Sequence, residues 1–190
     1  MKESDSIVHL KYIGELSEKD LSEISNQLST ANFELSAFDS SRKVTACLDD
    51  FTFVTYLTLS SPFVIEFIKG VGTNAGWDVI KKTIILVRSK ILGKKYYKIT
   101  SKKQEEKEIT FGVKMKLDEN TGFDFELKGD LTNEMIGKSL DKIFDFLKTQ
   151  KVNSKYEHSL FVQYSKEEKK WKPINVLEEI RKKNKKRNDL

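Results

Sequence analysis

Cysteine, histidine and proline are scarce in this chain of 190 residues, which has one cysteine, Cys47, two histidines, His9 and His158, and two prolines. One cysteine excludes an intrachain disulfide and agrees with a reducing compartment. Two histidines, with no His-x-x-x-His or Cys-x-x-Cys spacing, leave a zinc site nothing to build on. His9 lies mid-strand and His158 at the start of a strand, so both read as ordinary strand residues. Cys47 sits among Val44, Ala46 and Leu48 and reads as a small buried side chain rather than a nucleophile. A Gly-x-Ser-x-Gly elbow is missing as well. No catalytic, metal-ligating or cofactor-binding residue is assigned, and no cofactor is expected.

A long uncharged apolar run is also lacking. The most apolar region, from Pro62 to Ile91, is broken by Glu66, Lys69, Asp78, Lys81, Lys82 and Arg88, whereas a spanning helix needs about 20 nearly uncharged residues. The first residues show no basic start followed by an apolar stretch, so an intracellular, cytoplasmic protein is expected. Only nine glycines and two prolines interrupt a chain that is 38% hydrophobic, with twelve phenylalanines. That composition packs a core and argues against disorder.

What is present is patterned. Val8, Leu10 and Tyr12 share one face of a first strand, and a helix follows, with Ser17 as cap, Asp20 at its third position and Leu16 stapling onto Leu21. Phe33, Leu35 and Ala37 alternate as a second strand, Asp39 to Arg42 reads as a turn, and Val44 to Leu48 begins a third. Phe51 to Leu59 is rich in Thr, Val, Tyr and Phe and reads as a strand. Ser61 before Pro62 marks the start of a long helix reaching Ile91, with a kink or break where Gly70, Gly72 and Gly76 weaken it. Tyr96 to Thr100 is a short strand and Lys102 to Glu108 a charged loop. Ile109 to Leu117 and Phe123 to Leu127 form the clearest hairpin. A helix over 133–150, a strand carrying Leu160, Val162 and Tyr164, a charged turn to Trp171 and a last helix capped by Asn175 with Glu178 complete the order.

These elements predict an α+β fold. Up to residue 117 the order is strand, helix, strand, strand, helix, strand, the split βαβ order of a ferredoxin-like core. A β-hairpin, a helix, a second hairpin and a terminal helix extend it. Residues 1–180 are expected to form a single domain, with 1–117 as its core and 118–180 appended, followed by a basic tail at 181–190.

Charge is unevenly placed. The net charge is +5, and the tail alone supplies that much through Arg181, Lys182, Lys183, Lys185, Lys186 and Arg187 against Asp189. The neutrality of residues 1–180 is a cancellation, because 79–103 holds nine cations and no acid: Lys81, Lys82, Arg88, Lys90, Lys94, Lys95, Lys98, Lys102 and Lys103. Tyr96 and Tyr97 lie inside that run. Cations interleaved with aromatics suit phosphates and stacked bases, while a solvated helix end explains the same lysines more simply. Lysine outnumbers arginine there, which speaks against base-specific reading.

Three further features have ordinary explanations. Gly70 to Trp77 superficially resembles a phosphate loop, but it follows a helical run and lacks the Lys-Ser/Thr ending, so a hinge or close helix contact is expected. Asp49 and Asp50 are adjacent and point to opposite faces of a strand, which suits a turn better than a catalytic dyad. Ile84 to Val87 are consecutive apolar residues and require cover all round their helix.

The function expected from this balance is a non-enzymatic intracellular binding or regulatory module, with a protein as partner, working through the sheet or the long helix. The alternative is sequence-independent binding of nucleic acid or an anionic surface by 81–103 and the tail. An enzyme of unidentified type using carboxylates and lysines is the third reading.

Overall fold

The computed structural model describes residues 7–41, 53–70, 72, 74–99, 104–118, 121–128, 130–150 and 160–188. The strand expected at Val44–Leu48, Cys47, the Asp49–Asp50 pair, Lys102, Lys103 and His158 lie outside them. The described strands are β1 (Ile7–Tyr12), β2 (Glu34–Asp39), β3 (Thr55–Leu59), β4 (Lys95–Ile99), β5 (Gln104–Glu108), β6 (Phe111–Lys116), β7 (Gly122–Glu126), β8 (Leu160–Ser165) and β9 (Lys170–Pro173). The helices are α1 (Glu18–Ser29), α2 (Ser61–Ile68), α3 (Asn74–Ile91), α4 (Asn133–Asp141), α5 (Ile143–Lys148) and α6 (Val176–Asn188). The chain is a mixed α+β structure in which no described helix is long and apolar enough to cross a membrane.

Seven strands form one sheet in the order β2-β1-β3-β6-β7-β8-β9, and β4 and β5 form a separate antiparallel pair. Register places Leu10, Leu57, Val113, Phe125 and Val162 side by side across five strands. All five are buried in the main core. Successive side chains point to opposite faces of a strand, so this row fixes the inner face, on which helices α1 to α5 place Ile24, Val64, Ile84, Ile136 and Leu147.

The strand order differs from the ferredoxin-like expectation. β1 and β2 are direct parallel neighbours in register, whereas a split βαβ unit holds another strand between them. β3 pairs antiparallel with the other side of β1. The expected strand near 96–100 is present as β4, but it pairs with β5 outside the main sheet. Element order is local information and strand partnership is not, so the expected elements that are present pair differently from the expected sheet. The charged loop expected at 102–108 is likewise largely strand β5.

Local chemistry explains the elements. Ser17 and Asp20 form a reciprocal capping box that starts α1. The long helix divides at the glycines: α2 ends at Ile68, Gly70 takes the left-handed φ of 73°, and α3 begins at Asn74. Helix α2 starts at Ser61, with Ser60 in the cap position making no side-chain cap bond and Pro62 in the first turn, where its missing N–H leaves no helical bond unmade. The helix over 133–150 is two helices joined at Lys142. Asn175 caps α6 by accepting the Glu178 N–H.

Helix α3 answers the question posed by its four consecutive apolar residues. Helices α1 and α4 both pack against it, Ile84 and Val87 are buried, and Ile85 and Leu86 are half-buried against the core. Its apolar surface is spent inside the fold.

Candidate functional site

The basic segment of α3 and β4 does not form one exposed patch. Arg88 is 3% exposed, and its guanidinium donates to the Asn133 side chain, the Lys128 carbonyl and the Leu131 carbonyl at 3.1, 3.1 and 2.6 Å. Lys81 pairs with Asp78 and Asp141 at 2.9 and 2.6 Å. Burial works against its charge, yet those two hydrogen bonds hold its pKa above the usual value. Lys90 pairs with Glu23 and Asp20 and is raised by them. Lys94 donates to the Glu15 carbonyl at 2.5 Å.

The hairpin β4–β5 sets carboxylate-bearing positions opposite cationic ones. Register sets Lys95 opposite Glu108, Tyr97 opposite Glu106 and Lys98 opposite Glu105. Lys95 reaches Glu106 at 2.6 Å, and that hydrogen bond raises its pKa. Tyr96 is half-buried, Lys82 is exposed and Tyr97 is 63% exposed. In the tail, α6 carries the exposed Arg181, and Lys182 pairs with Glu179 at 2.8 Å. Lys183, Lys185, Lys186 and Arg187 fall within the same helix.

The outer face of the main sheet has a different organisation. Helices α1 to α5 lie on the inner face, and the out-of-phase residues of each strand meet on the other. One row runs Lys11, Tyr56, Gly112, Glu126, Gln163, Lys172, and the next runs His9, Thr58, Lys114, Asp124, Phe161. Tyr56 stands between two ammonium groups, with Lys114 Nζ at 4.6 Å and Lys11 Nζ at 5.6 Å from its ring centroid. A ring face attracts a cation, by about 0.5–1 kcal/mol at exposed sites.

This arrangement is built and supported. Lys114 also bonds Asp124 at 2.9 Å, while Lys11 has no carboxylate partner among the described residues. Gln163 donates to Glu126 at 2.7 Å. Val54 N–H bonds the Thr110 hydroxyl and Thr55 N–H the Thr110 carbonyl, so the strand starts only at Thr55 and Phe53 folds onto the outer face. There Phe53 lies 5.3 Å from Phe161 and over Gly112, where an added Cβ would come within 2.2 Å of its ring. Both phenyl rings are 4% exposed and outside the main core, forming a small separate cluster under Lys114.

Sequence reasoning passed over this face because it followed the apolar phase of each strand. The signal was in the other phase: Lys11 between Leu10 and Tyr12, Tyr56 between Thr55 and Leu57, Lys114 between Val113 and Met115. Among the described residues no three His, Cys, Asp or Glu side chains gather to hold a metal ion, and His9 stands exposed opposite Thr58.

No protein-family model, curated protein or solved structure matches this chain.

Proposed function

We propose that the chain is a non-enzymatic, cytoplasmic binding or regulatory module that engages a protein partner through the outer face of its sheet, centred on Tyr56 between Lys11 and Lys114. The observation that carries this reading is the arrangement of the sheet: among the described residues, helices α1 to α5 bury their side chains against its inner face and enclose α3, and the outer face holds the ordered row around Tyr56. A tyrosine with flanking long side chains is a favourable contact centre, because aromatic anchors dominate binding energy while rim charges set orientation. The lysines and the carboxylates Asp124 and Glu126 give the face a polar pattern that a partner can match.

The test is affinity capture from the native cell, with Lys11→Glu combined with Tyr56→Ala as one bait and the wild-type chain as the other. Loss of the same partner from the variant, with a helix-side variant such as Lys138→Ala retaining it, supports the reading. Equal recovery by all baits refutes it.

The alternative, phosphate binding by 81–103 and the tail, draws on Lys82, on Tyr97 and on the cations of α6. The internal pairing of Lys81, Lys90 and Lys95 and the burial of Arg88 reduce the charge it can use. It requires binding to single- or double-stranded nucleic acid that is detectable at about 50 mM salt and falls steeply as salt rises.

A further inference from the structure

The glycine-rich segment does more than break a helix. Together with the end of α1 and one side of α2 it bounds a cleft of about 320 Å³, at the small end of the range for ligand sites. Phe33, Phe63 and Phe67 form its apolar side, with ring centroids 5.4 Å apart for Phe33 and Phe63 and 4.7 Å for Phe63 and Phe67. Gly72, Ala75 and Gly76 also line it. Gly72 cannot carry a side chain in place, since its Cβ would fall 2.8 Å from the Phe67 ring.

Its electrostatics favour one sign. Among the described residues Glu66 is the one charged side chain in the lining, and it has no ion-pair partner there. The end of α1 contributes Thr30 and Ala31, and the last turn of α1 holds no lysine or arginine to offset its partial negative charge. Phenyl faces also attract cations. The first turn of α3, which supplies Ala75 and Gly76, contributes the opposite partial charge, so an anionic ligand is the competing outcome.

We infer that this cleft binds a small organic cation with an apolar body, its ammonium at Glu66 and its body against Phe63 and Phe67. The site is independent of the outer sheet face. The test is an amide-resolved NMR titration of the full chain with three probes of one shape: 2-phenylethylammonium, neutral 2-phenylethanol and anionic 3-phenylpropanoate. The ammonium should produce saturable shifts at the amides of Gly72, Ala75 and Gly76 with a Kd of about 1 mM or tighter, and the other two should bind at least about tenfold more weakly. Glu66→Gln should bring the ammonium down to the neutral probe, and Ala75→Leu, at an exposed helical position, should abolish the shifts in a folded protein. Absence of saturable shifts up to about 10 mM, equal binding of all three probes, or an unchanged affinity in Glu66→Gln would overturn the inference.

Discussion

The guanidinium of Arg88 in α3 donates to the carbonyl of Leu131 at 2.6 Å, tying the helix to the turn ahead of α4 from inside the fold. A residue that counts as a cation along the sequence is here a structural donor to three acceptors.

Arg88→Ala removes those hydrogen bonds and leaves buried acceptors without their donor, at an expected cost of about 3 kcal/mol. Lys82→Ala, at an exposed position of the same helix, should stay within about 0.5 kcal/mol. Chemical denaturation measures both. Were Arg88 instead a phosphate contact, its removal would leave stability near wild type.

The spacing of Arg88 shows what could be read in advance. It lies four residues after Ile84 and three before Ile91, on the stripe those side chains bury, so periodicity marked it as inward while charge counting marked it as surface. Several local features were legible: the capping box of Ser17 and Asp20, the β6–β7 hairpin and the break at Gly70 each depend on residues close in sequence. Partnership was not. Nothing near Ile7 specifies that β1 lies beside β2 and β3, and nothing near Lys95 announces that Glu106 will pair with it from a strand that reads as a loop.

Asp20 should titrate with a pKa of about 2 in the native protein, against its usual 3.8, because the Ser17 hydroxyl and backbone N–H bond its carboxylate and Lys90 adds a further contact. The folded value is the lower one, so this contribution to stability is full above the unfolded pKa and is lost as pH falls from about 4 towards 2. Ser17→Ala should move the NMR-detected pKa back towards 3.8 and cost about 1 kcal/mol at neutral pH through the lost cap.

Gly112→Ala should displace the Phe53 ring from the outer face and cost about 2 kcal/mol by overpacking. In a Phe53→Ala background the same substitution has room, and its cost should fall below about 0.5 kcal/mol. A double-mutant cycle by denaturation reads the difference directly. Additive costs would mean that Phe53 does not occupy the place above Gly112.

The central claim is that the outer sheet face is the contact surface, and the most direct measurement is the affinity of a purified cellular partner for the chain and for its Lys11→Glu, Tyr56→Ala variant. The account predicts at least about a tenfold loss of affinity in the variant, with circular dichroism and thermal midpoint near wild type. An unchanged affinity, alongside a loss on removing residues 181–190, would contradict it and place the contact on the basic tail.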